Sequence, residues 1–383
     1  MKHHYLLLII CLMPFLYGCS SAQPEGDLLT LDVTKKYPKI KLNLKDLADI
    51  EYIRLKNDPD YLQKSRVLLF SGEYIIVRGE NKALLIFDRK GNPIHRILQV
   101  GSGPQEYLYA SNLFLDEEKG ELMVHDGQIQ KYFVYTLDGD FIRNGTTGVE
   151  NNVYSFNDNA FICYNKVTNR VHTDMIPYFS IVSKEDWQVK KEIKIPIDEI
   201  RNIEVKKEVS EGSVFLYSPM HRPLVKGFDG FLLNEPASDT IYRYSSGGEL
   251  IPLIVREPAI KSMHNPVYLR AGVETGRYMF LTVTSIDVNN KDDMFPSVEL
   301  VYDKENKTIH EYQIVFEDWP ERSIIFDAEM INNTSRNGYG VVDFDVASLV
   351  ACYKAGRFTG ALKETAKDMD EEDNAAVMLL KFK

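Results

Sequence analysis

Apolar and polar residues along this chain fall into short runs bounded by turn-forming residues, a pattern of strands rather than helices. Residues 50–55 alternate apolar and polar positions, the mark of a half-buried strand. Residues 67–70 and 74–77 are short apolar runs joined by Ser71-Gly72-Glu73. Next, Leu84-Leu85-Ile86-Phe87 is turned back by Asp88-Arg89-Lys90-Gly91, which predicts a β-hairpin over residues 83–97.

The hairpin recurs. Residues 131–143, 179–189, 240–250 and 298–309 each repeat a strand, a tight turn and a returning strand, at spacings of about 47–61 residues. Gly91, Gly139, Asp186, Gly247 and Asn306 occupy the corresponding turn positions, and these residue types tolerate the positive φ of tight hairpins. Further strand pairs sit upstream, such as residues 113–115 with 121–124 and 224–225 with 230–233. Four strands per unit at this period is the signature of propeller blades.

Five units are countable, and a sixth must come from the C-terminal part. Residues 323–330 and 339–344 read as its strands. Residues 345–356 and 359–369 are the helix-like stretches, where Ala, Leu, Lys and Glu predominate. Residues 375–382 form an apolar final strand. Pairing of 50–55 with 377–382 would join the first and last blades and protect the strand edges. The expected fold is all-β: a six-bladed β-propeller of four-stranded antiparallel blades, with a short helical insertion near the C-terminus.

The first 18 residues follow another pattern. Lys2, His3 and His4 make a short basic, polar start, and residues 5–16 are apolar. That run has the length of an export-signal core and is too short to span a bilayer. It ends in Leu16-Tyr17-Gly18-Cys19-Ser20-Ser21. This resembles the bacterial lipobox, in which a small residue precedes a cysteine that is lipidated and becomes the mature N-terminus. Three segments are therefore expected: a signal peptide (1–18), a polar tether from lipidated Cys19 (19–45) and a single propeller domain (46–383). The expected location is the bacterial outer membrane, periplasmic or surface-exposed, with the membrane reached through the N-terminal lipid alone.

Composition sharpens this in three ways. Hydrophobic residues make up 44% of the 383 and charged residues 26%, enough apolar material for a large core. The 22 Tyr and 19 Phe favour strands. A net charge of -11 argues against a nucleic-acid partner. Outside the leader, Cys163 and Cys352 are far apart and form no CxxC; a disulfide between them is compatible with the sequence, with two free thiols the default.

With these residues in view, the chain resembles the six-bladed β-propeller lipoproteins common in Bacteroidetes-type bacteria, a family largely of unknown function. The resemblance covers nearly the whole mature chain: the lipobox, the opening strand at 50–55, the connector at 101–107 and the Asp373-Asn374 ending. The family often has proline after that asparagine, where this chain has Ala375. Residues 101–143 are more distantly similar to the NHL repeat. The resemblance implies fold and address rather than chemistry.

Candidate chemistry is sparse. Gly101-Ser102-Gly103-Pro104-Gln105-Glu106-Tyr107 is the most conspicuous loop. Gly101 and Gly103 permit close backbone approach, and Glu106 and Tyr107 supply polar groups, so these four are the candidate ligand-binding residues. The same loop also reads as a blade-to-blade turn, with Glu106 capping amides and Tyr107 packed between blades. It lacks the Lys-Ser/Thr ending of a phosphate loop. Asp138-Gly139-Asp140 lacks the further ligands of a calcium loop. The eight histidines form neither HxH nor HExxH, and no GxSxG is present. His125-Asp126 and His221-Arg222 are isolated pairs. Tyr107, Tyr132, Trp187, Tyr242 and Tyr244 suit either sugar stacking or packing between blades.

The expected function is a binding or scaffolding module for a glycan, a peptide or an envelope protein, acting through its loops and central channel. The alternative is a hydrolase, lyase or lactonase-like enzyme in the central funnel. No catalytic motif, cofactor or metal-ligand set is identified; a divalent cation in the channel stays open.

Overall fold

A computed structural model describes residues 28–58, 67–146, 151–165, 178–197, 205–210, 213–219, 222–290, 293–335 and 337–383. Six sheets follow one another around a central channel. Blade 1 holds Val67–Phe70, Tyr74–Arg78, Leu84–Asp88 and Pro93–Ile97. Blade 2 runs from Asn112–Asp116 to Phe141–Gly145, and blade 3 from Asn151–Asn157 to Val189–Ile193. Blade 4 spans Leu224–Lys226 to Leu250–Glu257, and blade 5 Tyr268–Glu274 to Thr308–Val315. A separate two-stranded hairpin, Val205–Ser210 with Ser213–Tyr217, lies between blades 3 and 4.

The inner three strands of a blade read as continuous apolar runs because neighbouring blades cover both of their faces. In blade 1, Ile75, Ile76, Val77, Leu84, Ile86 and Phe87 are all fully buried. The outer strand Pro93–Ile97 is only partly covered and carries His95 and Arg96.

Each tight turn is organised by a side-chain oxygen at the end of the third strand. Asp88 accepts the amides of Lys90 and Asn92, both at 2.8 Å. Thr136, Ser183, Ser245 and Asp303 do the same in blades 2 to 5. Gly91 (φ +78°), Gly139 (+96°) and Gly248 (+82°) then take the left-handed position. Here the expected register needs correction. In blade 4 the left-handed residue is Gly248 rather than Gly247. In blades 3 and 5 it is Trp187 (φ +59°) and Lys307 (+54°), one past Asp186 and Asn306. Those two loops are one residue longer, counted from Ser183 and Asp303. The capping side chain sets the turn, and residue type at the turn follows it.

Closure occurs within blade 6, as expected from the two ends of the chain. Ala376–Phe382 pairs antiparallel with Tyr339–Phe344 on one side and with Ala48–Arg54 on the other, Val377 opposite Ile53. Ile53, Val377 and Leu379 bury against Ile75, Val77 and Leu85 of blade 1.

Two expectations fail. Residues 28–45 are not all tether. Leu29–Asp32 adds in parallel to the outer edge of blade 4, and Lys39–Asn43 to that of blade 5. Their short alternations, Leu29/Leu31 and Ile40/Leu42, place apolar side chains inward, and Leu31 is fully buried. Both strands cap exposed sheet edges.

The second failure is the strand expected at 323–330. Its end is instead a short helix, Ala328–Asn332, whose first turn is capped by Asp327 accepting the amides of Glu329 and Met330. The helix takes the innermost position of blade 6 and packs against the inner strands of blades 4 and 5 and against Tyr339–Phe344. Its Asn332 side chain bonds the Lys226 amide (3.2 Å) and the Leu224 carbonyl (2.9 Å). The chain then crosses to blade 1, where Phe70 pairs with Asn333 and Ser335. Residues 328–335 thus plug the channel from blade 4 to blade 1. The expected helical insertion is present as Val346–Lys354 and Gly360–Ala366, between two strands of blade 6. Cys163, buried, and Cys352, half-buried, are free thiols.

Candidate functional site

The antiparallel order within each blade gives the propeller two unlike ends. Links between strands 1–2 and 3–4 gather at a tight-turn end. Links between strands 2–3 and between blades gather at a connector end.

Gly101, Gly103, Glu106 and Tyr107 lie at the connector end, and their groups are used within the fold. The Glu106 carboxylate accepts the Gly103 amide at 2.8 Å and fills the space a Cβ at Gly101 would need. Tyr107 is fully buried, and its hydroxyl donates to the Lys82 carbonyl at 3.0 Å. Tyr135 donates to the Gln105 carbonyl (2.7 Å), and Asn144 to that of Pro104 (2.8 Å). These contacts lock blade 1 to blade 2. Cys19 and His221 lie outside the described residues.

The aromatic candidates pack between blades. Tyr132 stacks on Trp187 (4.9 Å between centroids) and on His125 (4.7 Å). Gly145 makes room for the indole. Tyr107, Tyr132, Trp187 and Tyr244 are buried, and Tyr242 is half-buried. His125 is buried and burial pushes its imidazole down to about 4, against the pull of Asp126. Asp126 accepts the amides of Leu108, Tyr109, Gln128 and Ile129, a structural cap that fixes the incoming connector. Asp138 sits in the blade 2 turn and faces His95 at 2.9 Å. Also at the connector end, Glu235 is buried, accepting the Tyr164 hydroxyl (2.9 Å) and the Ala237 amide (3.1 Å). Burial raises its carboxyl to about 7 despite those two bonds.

The tight-turn end is different. A cavity of about 310 Å³ opens there, walled by the inner strands of blades 1 to 4 and by the plug. Its aromatic surface comes from Phe114, Tyr154, Phe156 and Phe231. Its charges are Asp116, Asp158, Lys184 and Lys226. Burial brings the Lys184 ammonium down to about 8, although Asp158 and Asp116 pull it up; it donates to Ser155 Oγ at 2.7 Å. Burial alone would raise the Asp116 carboxyl, but hydrogen bonds from Lys119 overcome this and hold it below the usual range. Burial also brings Lys226 down to about 8. Its Nζ donates to the carbonyls of Ser335 (2.8 Å) and Thr334 (3.3 Å). A second hollow of about 340 Å³, lined by Phe228, Ile331, Tyr339 and Phe382 among others, shares Lys226 and Asn337 with the first. Among the described residues, no three His, Cys, Asp or Glu side chains converge to hold a metal ion.

The sequence reading passed over these charges. Asp116, Asp158 and Lys226 each end or directly follow an inner strand. Aligning the repeats strand by strand, rather than by their outer hairpins, would have brought that position out.

The model of a domain of unknown function, DUF4934, matches residues 28–381. The chain belongs to that family. Among solved structures, a putative exported protein from Bacteroides fragilis is similar over 93% of this chain and 99% of its own, at 16% identity and a TM-score of 0.61. A member of the duf4221 family from Bacteroides vulgatus is similar over 88% of this chain and 97% of its own, at 12% identity and a TM-score of 0.39. Among curated proteins none matches. The DUF4934 chain is thus a six-bladed propeller with an exported structural neighbour. No helix among its described residues is long and apolar enough to cross a membrane.

Proposed function

We propose that this DUF4934 protein is an exported lipoprotein, anchored through Cys19, that binds a small ligand at the tight-turn end of its channel. One observation carries the reading: the cavity of about 310 Å³ that combines aromatic walls with a few convergent charged groups. Ligand sites have this size and mixed lining. The plug supplies Asn332, Thr334 and Ser335 to the wall of this pocket. Export rests on the leader and on the exported neighbour, and the lipid anchor on the lipobox alone.

Asn337 is exposed at the junction of both hollows, and a tryptophan there would fill the mouth. A fragment screen by ligand-observed NMR should find compounds that bind the wild type and are lost in Asn337→Trp, with circular dichroism unchanged. Fragments that bind both proteins equally would place binding elsewhere and end the reading. Fractionation of a Cys19→Ser variant tests the anchor: it should leave the membrane fraction.

A further inference from the structure

The two lysines of the cavity are not equivalent. Lys184 stands among Asp158, Asp116 and Lys119, and its neighbourhood already contains anions. Lys226 has another setting. Two of its three N–H groups go to the carbonyl oxygens of Ser335 and Thr334. Among the described residues no carboxylate lies within ion-pair distance of it. The nearest acidic group of blade 5, Glu274, faces the neighbouring Gly227 and is engaged by Arg243 at 2.7 Å and Lys304 at 3.5 Å. Carbonyl oxygens carry only partial charge, so they hold the ammonium in place without neutralising it. A half-buried cation held this way is complemented by an anion, and a charge-assisted bond at a partly desolvated site is the stronger kind.

The rest of the lining specifies what the anion is attached to. Phe114, Tyr154, Phe156 and Phe231 offer ring faces and edges; Phe231 has its centroid 6.2 Å from Tyr154 and 6.4 Å from Phe156. Such walls favour a ring-bearing or apolar body over a bare inorganic ion.

We propose that the ligand of this cavity is a small organic carboxylate, with its anion on the Lys226 ammonium and its ring against the four aromatic side chains. This deepens the binding reading above and rests on it. The lowered proton affinity of Lys226 agrees with its burial, and a bound carboxylate would restore it.

The test compares benzoate with its neutral isostere benzamide, on the full-length chain in a non-ionic detergent, with detergent alone as blank. At pH 6.5 benzoate should bind about tenfold more tightly than benzamide, the scale of one charge-assisted hydrogen bond. The preference should fall to within about twofold in Lys226→Met, and should persist in Lys226→Arg and in Lys184→Met. Should Lys226→Met fail to fold, the wild type at pH 9.5 gives the same readout: benzoate keeps its charge while Lys226 loses its proton. Asp116 and Glu274, both held below the usual carboxylate range, stay ionised across that interval, and the Lys184→Met protein separates the one other lysine on the cavity wall. Equal binding of the two compounds, binding of neither, or a preference unchanged in Lys226→Met overturns the carboxylate inference. The wider binding reading falls separately, by fragments that bind Asn337→Trp as well as wild type.

Discussion

The connector at residues 101–107 and the inner-strand ends around the cavity make an instructive pair. The connector is conspicuous in sequence and closed in structure. Its carboxylate, its phenol and the amides of Gly101, Gly103, Glu106 and Tyr107 are satisfied by one another or by neighbouring backbone. The strand ends are inconspicuous in sequence, yet they place two desolvated lysines and two aspartates around an open volume. Turn chemistry makes a motif visible because glycine and proline are needed for backbone geometry. Binding chemistry at a channel mouth needs only ordinary charged residues, brought together from different blades.

The comparison implies opposite responses to substitution. A tightly packed scaffold glycine should lose stability when changed, whereas buried or half-buried titratable groups should shift it in a pH-dependent way. The largest effect is expected at Gly91. It combines φ +78° with a site where a Cβ would overlap the Arg54 carbonyl oxygen, at the seam between blade 6 and blade 1. Gly91→Ala should cost about 3 kcal/mol or more in urea unfolding. A loss under 1 kcal/mol would mean the seam is loose and the ring closure weaker than its hydrogen bonds suggest.

Next comes Glu235, the buried carboxyl of the connector end. Its folded pKa of about 7 lies above the unfolded value, so the folded state binds the extra proton. The neutral form's contribution is fully present below about pH 4.5 and is lost as pH rises through 7. The stability of Glu235→Gln relative to wild type should therefore improve between pH 5 and pH 8, by about 2–3 kcal/mol. A pH-independent difference would show that Glu235 is ionised throughout.

The smallest effect, with the opposite pH dependence, is expected at Lys226. Its folded pKa is depressed to about 8, so its stabilising contribution is complete only above about pH 10.5 and is lost as pH falls through 8. At pH 7 the half-buried ammonium destabilises the fold. Lys226→Met should raise stability by about 1–2 kcal/mol at pH 7, with the gain vanishing near pH 10.5. A destabilised variant would assign Lys226 to the scaffold, as a clamp on the plug through Thr334 and Ser335.

Much of the scaffold was legible because it is local. Each hairpin closes within a few residues, so Asp88 with Gly91 or Thr136 with Gly139 is written in one short stretch. The pairing of 50–55 with 377–382 was legible for another reason: a ring must close, and these were the free apolar strands at its ends. The turn register in blades 3 to 5 was misplaced because the cap, at Ser183, Ser245 or Asp303, carries the signal more reliably than the glycine. The strands at Leu29–Asp32 and Lys39–Asn43 were missed because each is four or five residues long and finds its partner more than 200 residues away.

The sequence by itself determined the blade period, the strand-and-turn grammar and the closing strands, since these follow from apolar runs and neighbouring turn residues. Only the tertiary structure decided that a helix replaces the inner strand of blade 6, and that side chains from four blades and that segment line one pocket. The physical reason is that desolvation is a property of place. Lys184, Lys226 and Thr334 are ordinary residues in the chain, and they acquire shifted proton affinities or directed bonds only where four blades and the plug partly shield them from water.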